Sequence, residues 1–486
     1  MAIDTHPPAT ATARAPGASA GADFLDARTL QPETAPPDHP AAEMRRRQQR
    51  SGQWHGGQMA GRRWPVACVS LEITQRCNLD CTLCYLSESA EAVRDLPLDE
   101  VFRRIDLIVD HYGPGTDVQV SGGEPTLRPR DDLLAIVRRL AERGLRASLF
   151  TNGIRASRDL LTELAAAGLS DVAFHVDTTQ QRPGFADEHA LNALRSRYIE
   201  RARGLPISVF FNTTVHPGNL AELPMLAAFF AAQADVVRMA SFQLQADTGR
   251  GVLGARTDAI TQQGVADRLQ QGAAVALDFG ALAAGHRQCN RLAVMLVING
   301  RAYDAFADAA FVGRFMRETA DATVDRGTPW RSLRSLVAAA RWRPALALAA
   351  LRWAAAFAWR ARRDLLAARG RVHKLAYFTH NFMDACQLDA DRIDACVFMA
   401  ITQHGPMSMC AYNARRDDFL LQPLHTAGGT WQPLRRAPGA PGPRHALPGE
   451  MPIKWMKGRS REAALAGSRA AAPAATLVTP QPGAPA

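Results

Sequence analysis

The chain has 486 residues, of which 47% are hydrophobic and 21% are charged, and its formal net charge is +10. This composition indicates a globular protein with more than one domain and excludes a chain that is disordered throughout. The positive charge comes almost entirely from arginine. We read it mainly as solvated surface charge and predict no nucleic-acid partner. No basic segment followed by an apolar run opens the chain, so we expect a cytoplasmic location.

Both ends of the chain differ in composition from its middle. Residues 1–62 are rich in Ala, Pro, Gly and Thr, and residues 426–486 have a similar composition. Segments with few large apolar residues do not build a core. We therefore expect a disordered N-terminal extension and a mostly disordered C-terminal tail.

Between these ends, short apolar runs alternate with segments of helical periodicity. The predicted strands are Ala67–Ile73, Asp117–Val120, Leu145–Phe150, Asp171–Val176, Pro206–Phe211 and Asp235–Ala240. The predicted helices are Leu98–Tyr112, Asp131–Arg143, Arg158–Ala167, Glu188–Arg203, Ala221–Ala232 and Thr257–Gln270. The alternation predicts an α/β fold, a partial (β/α)6 barrel over residues 63–285. Reactive groups in such barrels lie where the strands end.

Three cysteines follow the first predicted strand, Cys77, Cys81 and Cys84. Three thiolates on one short loop can ligate three irons of a 4Fe–4S cluster and leave the fourth iron open. A structural zinc site would need four ligands. The spacing therefore predicts a catalytic iron–sulfur site.

The second predicted strand leads into Gly122, Gly123, Glu124 and Pro125. Two glycines allow the backbone to approach a ligand closely, and a carboxylate pairs with an ammonium group. Taken alone, the same residues could form a tight turn with a capping glutamate. Their position one unit after the cysteines favours the ligand site.

The cysteine spacing, the aromatic Tyr85 and the Gly-Gly-Glu-Pro segment resemble the motifs of the radical S-adenosylmethionine (SAM) superfamily. The resemblance implies that SAM binds the open iron, with its amine at the glycine motif and its adenine near Tyr85. It further implies an enzyme that cleaves SAM to a 5′-deoxyadenosyl radical, using an external electron donor such as a ferredoxin or flavodoxin.

Polar residues at later strand ends extend this resemblance. In the family, such positions contact the ribose, carboxylate and adenine of SAM, which implies those roles for Asn152, Asp177, Asn212 and Gln243. Helix caps or turns are the alternative for each residue alone.

Four more cysteines lie beyond the predicted barrel, in a region that we assign to residues 286–425. They are Cys289, Cys386, Cys396 and Cys410. Four thiolates could complete a closed 4Fe–4S cluster, but zinc binding and unrelated buried cysteines remain alternatives.

The residues around these cysteines add a closer resemblance. His380–Asp384 and Met409–Asn413, within about residues 64–420, resemble the tetraether lipid synthase group and its pterin methylase relative. This implies an auxiliary 4Fe–4S cluster domain. The additional N-terminal cysteines of several relatives are missing, since only Cys68 precedes the first motif, within a predicted strand.

A helical insertion is expected at about residues 330–370. Its segment Pro344–Trp359 is nearly all Ala, Leu, Trp and Phe, with arginines on both sides. It is too short and too charged to span a membrane. The alternatives are a buried lid over the barrel mouth and an interfacial helix giving peripheral membrane contact.

The leading functional hypothesis is radical chemistry on a lipid or another long apolar substrate. One alternative is methylation or C–C bond formation on a small heterocycle such as a pterin. Another is modification of a peptide or protein. The first follows from the resemblance and the Ala/Trp/Arg segment; the sequence identifies no residue that quenches the substrate radical.

Overall fold

A computed structural model describes residues 30–250, 260–320, 334–335, 337–338, 341–426 and 428–434. Most of the two predicted disordered ends, residues 1–29 and 435–486, lies outside the described residues, as do residues 257–259 of the last predicted barrel helix.

Six strand–helix units form the centre of the fold. The strands are β1 (Cys68–Thr74), β2 (Asp117–Gly122), β3 (Arg146–Thr151), β4 (Leu169–His175), β5 (Ser208–Val215) and β6 (Val237–Leu244). The helices that follow them are α2 (Leu98–Tyr112), α3 (Arg130–Glu142), α4 (Arg158–Ala166), α5 (Glu188–Ala202), α6 (Leu223–Ala232) and α7 (Gln262–Ala273). All six strands pair in parallel in chain order. The predicted α/β class and its six units are confirmed.

Burial explains why these segments read as apolar runs. Every residue of β1 is buried, because helices cover the outer face of the sheet and other side chains fill its inner face. Side-chain caps mark the starts of two of these helices: Ser157 accepts from Leu160 N at α4, and Asp187 accepts from Ala190 N at α5.

The later part of the chain adds strands to the same sheet. These are β7 (Asn290–Ile298), β8 (Arg301–Asp304), β9 (His373–Asn381), β10 (Phe398–Thr402) and β11 (Gly405–Ser408). The eleven-stranded order is β11-β10-β1-β2-β3-β4-β5-β6-β9-β7-β8. Strand β10 pairs in parallel with β1, and β9 pairs in parallel with β6. The predicted auxiliary region thus lengthens both edges of the six-stranded sheet.

The other elements lie around this sheet. The helices are α1 (Pro40–Arg50), α8 (Ala309–Glu318), α9 (Pro344–Ala367), α10 (Ala390–Asp394), α11 (Met409–Ala414) and α12 (Arg416–Leu420). Single 3-10 turns occur at Glu88–Ala92, Pro125–Leu127, Thr178–Gln180 and Leu220–Glu222. A hairpin is formed by β12 (Leu424–Thr426) and β13 (Gly429–Trp431).

Helix α1 corrects the expectation of disorder over residues 1–62. Its Met44 and Gln48 are buried, and the Gln48 amide donates to the Ala395 carbonyl at 3.1 Å. Arg50 forms an ion pair with Asp394 at 2.9 Å. The segment has few large apolar residues, but the buried Met44 and polar contacts with the C-terminal part of the chain hold it in place.

Helix α9 lies away from the barrel mouth. It packs on α8 and β7, and Trp353 stacks between Phe311 and Phe357. None of its residues lines the cavity described below, so the lid interpretation is wrong. Trp359 remains 69% exposed. No helix in the described part of the chain is long and apolar enough to cross a membrane.

Candidate active site

One cavity of about 180 Å³ lies where the parallel strands end. Each of the strands β1–β6 contributes at least one lining residue. The loops above the strands add apolar side chains, including Leu79, Leu83 and Phe382. Of the predicted site residues, nine line this cavity: Cys77, Cys81, Cys84, Tyr85, Gly122, Gly123, Asn152, Asn212 and Gln243.

The three cysteines of the first motif lie on the loop after β1 and are all partly buried. Burial, together with the neighbouring Cys84 and Cys77, raises the pKa of Cys81 well above its ordinary value. A thiol of this kind must lose its proton when it binds a metal. In the described chain, no three or more His, Cys, Asp or Glu side chains form a group that could hold one metal ion. Ligands of a cubane cluster bind separate irons, so they need not converge on one point.

Gly122 and Gly123 lie directly against the backbone at the start of the cysteine loop. A Cβ atom at Gly122, where φ is +122°, would lie 2.0 Å from the Thr74 carbonyl oxygen. A Cβ atom at Gly123 would lie 2.1 Å from the Arg76 carbonyl oxygen. Gly123 N also donates to Thr74 O at 2.9 Å. The glycines therefore let the loops after β1 and β2 dock together, while both still line the cavity.

Glu124 and Pro125 lie behind the cavity wall. The Glu124 carboxylate is completely buried and accepts from Thr126 N at 3.1 Å and Thr126 Oγ1 at 2.6 Å. It also accepts from Thr151 Oγ1 and Asn152 N, each at 2.7 Å. Burial raises its pKa, and these hydrogen bonds oppose the rise. Its pairing with a ligand ammonium group stays a prediction, because the structure shows it bracing the loops after β2 and β3.

Asp177 has a similar position behind β4 and β5. Its carboxylate accepts from His175 Nε2 and Thr214 N at 2.7 Å each, and from Thr179 N at 3.0 Å. Burial alone would raise its pKa, but His175 and these hydrogen bonds hold it well below the ordinary value. The side chains of His175 and Thr214 line the cavity instead.

The predicted amide side chains do face the cavity. Asn152 Nδ2 donates to Asn78 Oδ1 at 2.7 Å, next to the cysteine loop. Asn212 Nδ2 donates to Gln243 Oε1 at 3.3 Å. These amides can exchange internal hydrogen bonds for bonds to a polar ligand.

A buried charged network beside Tyr85 was missed by sequence reasoning. The Arg416 guanidinium pairs with Glu72 and lies 4.9 Å above the Tyr85 ring. Tyr412 Oη donates to Glu72 Oε2 at 3.0 Å, while Tyr85 Oη donates to Gly122 O at 2.8 Å. The available signal was Glu72 itself, a charged residue within an otherwise uncharged strand.

The second cysteine group is only partly brought together. Cys289, Cys396 and Cys410 line one small cavity of about 10 Å³, whereas Cys386 is exposed on a turn outside it. Arg392 Nε donates to Cys289 Sγ at 3.2 Å. Burial raises the pKa of Cys289 to about 11, although Arg392 opposes this.

This small cavity adjoins the larger one. Phe382 lines both cavities, and Met409, which lines the larger, directly precedes Cys410. His380 also lines the small cavity, and burial followed by Arg392 lowers its pKa to about 3. The second group therefore lies one layer of side chains from the candidate active site.

Comparison with known proteins assigns the barrel. Residues 71–230 match the model of the Radical SAM superfamily. Residues 71–230 form a radical SAM domain. The matched residues contain the three cysteines and every predicted SAM-binding residue except Gln243.

Several curated proteins are similar to part of this chain. A 7,8-dihydro-6-hydroxymethylpterin dimethyltransferase of Methanocaldococcus jannaschii is 29% identical over 188 residues, covering 37% of each chain. A PqqA peptide cyclase of Rhodopseudomonas palustris is 35% identical over 188 residues, covering 37% of this chain and 47% of the relative. A GTP 3′,8-cyclase of Streptomyces coelicolor is 38% identical over 174 residues, covering 33% of this chain and 48% of the relative. The chain thus matches less than half the length of these relatives.

The radical SAM domain implies a 4Fe–4S cluster and SAM, and the donor set suits both. Three thiols on one loop, the backbone of two glycines and several amides face the same cavity. Thiolates are the ligands that iron–sulfur clusters take, and amide groups suit the carboxylate and ribose of SAM.

Proposed function

We propose that this enzyme binds a 4Fe–4S cluster through Cys77, Cys81 and Cys84 and cleaves SAM to modify a small, flat, polar substrate. When bound, the cluster and SAM supply a 5′-deoxyadenosyl radical that abstracts hydrogen from a C–H bond. The observation that carries the proposal is the single cavity shared by these cysteines and the strand-end amides.

The remaining residues of the site support binding and exclusion of water. Asn152, Asn212 and Gln243 provide the amides for SAM, and Tyr85 forms the wall next to the cysteine loop. The apolar Leu79 and Leu83 line the same space. An enclosed apolar wall protects a reactive species from solvent.

The cavity favours a heterocycle over an acyl chain. Its 180 Å³ must hold part of SAM as well as the substrate. Phe150, Phe382 and Met409 offer apolar surfaces to a flat ring, and Gln119 and Asn413 offer amides to its edge. The pterin and GTP enzymes among the relatives act on such rings. The PqqA peptide cyclase supports a peptide as the second candidate. The lipid substrate and peripheral membrane contact have no comparable support.

A second 4Fe–4S cluster forms part of this proposal. Its support is the convergence of Cys289, Cys396 and Cys410 on a cavity that shares Phe382 with the active site. Cys386, the fourth cysteine predicted from the sequence, lies on the same loop as Phe382. We further propose that an external one-electron donor of the ferredoxin or flavodoxin type reduces the enzyme.

The test is SAM cleavage by anaerobically reconstituted protein. We expect the wild type to release 5′-deoxyadenosine with dithionite, and the Cys77/Cys81/Cys84→Ala variant to release none. Cys68→Ala is the matched control, because this cysteine is buried in β1 and does not line the cavity. Cleavage by the triple variant would refute the proposed ligands.

Substrate class is tested in the same assay. A reduced pterin, a guanine nucleotide, a short peptide and lipid vesicles are compared for their effect on 5′-deoxyadenosine release. Stimulation by a ring compound supports the proposal. Stimulation by vesicles alone would overturn it in favour of a lipid.

A further inference from the structure

His380 lies at the end of β9 and faces the same small cavity as Cys289, Cys396 and Cys410. Its side chain is only 6% exposed, yet Nε2 has no hydrogen-bond partner among the described residues. Buried polar atoms are usually partnered, so this nitrogen is available to bind a ligand in the cavity.

The neighbouring Asn290 determines which imidazole nitrogen carries the proton. Asn290 Nδ2 donates to the Ala284 carbonyl at 2.7 Å, which turns its Oδ1 toward His380 Nδ1. An amide oxygen can only accept, so Nδ1 carries the hydrogen and Nε2 keeps its lone pair. Metal-binding histidines are commonly oriented in this way, by a hydrogen bond from the nitrogen that does not bind the metal.

Resting on the second iron–sulfur site proposed above, we infer that His380, rather than Cys386, is the fourth ligand of that site. Cys289, Cys396 and Cys410 supply the other three. Cys386 is exposed on its turn and does not line the cavity, so its thiol would have to move inward to bind. His380 already lines the cavity.

This ligand set has an electronic consequence. A neutral imidazole in place of a thiolate leaves the site with one negative charge fewer. Arg392, which donates to Cys289 Sγ, acts in the same direction. The neutral ligand and the nearby cation both favour the reduced form of a cluster, as histidine ligands do in other iron–sulfur proteins.

The experiment uses the full chain with the Cys77/Cys81/Cys84→Ala substitutions, which leaves only the second site to be observed. Iron is counted after anaerobic reconstitution, and the reduced protein is examined by pulsed electron paramagnetic resonance with and without ¹⁵N-histidine labelling. We expect about four irons per chain and a nitrogen coupling that changes with the label.

Further substitutions in this triple-alanine protein identify the residue that gives the nitrogen coupling. His380→Cys should keep the iron, lose the nitrogen coupling and shift the midpoint potential downward. Cys386→Ala should keep both iron and coupling. His286→Ala is the matched control, since His286 lines the same cavity but its Nδ1 accepts from Gln288 N, and the coupling should persist.

Three results would overturn the inference. Four irons without a histidine nitrogen coupling would remove His380 as a ligand while leaving the second cluster in place. Loss of iron in Cys386→Ala would assign the fourth position to that cysteine. Absence of iron from the background protein would remove the second cluster itself, and that failure is distinct from the other two.

Discussion

The buried Glu124 carboxylate either braces the loops after β2 and β3 or binds a ligand ammonium group, and Glu124→Gln distinguishes the two roles. If the carboxylate is an internal brace, Glu124→Gln must weaken the fold. Glu124 Oε1 accepts three hydrogen bonds from Thr126 and Thr151, and Oε2 accepts one from Asn152 N. A glutamine can keep the first three, but its NH₂ group then meets the Asn152 N–H, donor against donor.

The cost follows from these contacts. A hydrogen bond to a charged group contributes about 1.5–3 kcal/mol, and a buried donor left without an acceptor costs about 1–3 kcal/mol. Because both estimates describe the same Asn152 contact, we expect a total loss of about 2–3 kcal/mol in the free energy of unfolding. The affinity for SAM should fall less than about tenfold, which corresponds to 1.4 kcal/mol.

Urea unfolding of the iron-free protein measures the free energy of unfolding. Calorimetric titration of the reconstituted protein with SAM measures the affinity for SAM. Glu163→Gln is the matched control, because Glu163 is 46% exposed in a surface ion pair with Arg130. It should change stability by less than about 0.5 kcal/mol. An unchanged unfolding free energy together with a much larger loss of SAM affinity would refute the brace and support direct contact with the ligand.

Three further predictions concern the walls of the site. Gly123→Ala places a Cβ atom 2.1 Å from the Arg76 carbonyl, so iron content of the first site should fall to less than half, and full occupancy would contradict the docking of the two loops. Arg416→Met leaves Glu72 buried without its cation and should cost about 3–5 kcal/mol in urea unfolding; a second substitution, Glu72→Gln, should recover part of this loss, and no recovery would argue against the ion pair. Asp177 has a lowered pKa, so its contribution to stability is present above pH 3.8, the ordinary pKa, and is lost as the pH falls below that value. Asp177→Asn should therefore make the free energy of unfolding depend less on pH in this acidic range. An unchanged pH dependence would assign it to other groups.

The six strand–helix units were readable from the sequence because each is local. A strand such as Cys68–Thr74 is a short apolar run, and a helix such as Leu98–Tyr112 shows its own period and ends at Gly113. The cysteine motif was readable for the same reason, since its ligands share one loop. Neither required knowledge of a distant partner.

The features that the sequence did not predict depend on contacts between distant segments. A polar residue at a strand end can face the cavity, as Asn212 does, or lie behind the wall, as Asp177 does. The sequence pattern is the same in both cases. Likewise, nothing near Gln48 indicates that Ala395 will accept its hydrogen bond. The pairing of β10 with β1 is a third example.

That pairing bears on how the protein is made. During synthesis, β1 emerges early, but the strand that covers its outer edge, β10, emerges near the end of the described chain. The outer edge of β6 likewise stays unpaired until β9 has been synthesised. Unpaired strand edges attract other chains. We therefore expect C-terminal truncations before β9 to aggregate rather than yield an isolated barrel. A nascent chain would depend on chaperones until the segment between β9 and β10, which carries Cys386 and Cys396, has joined the two edges.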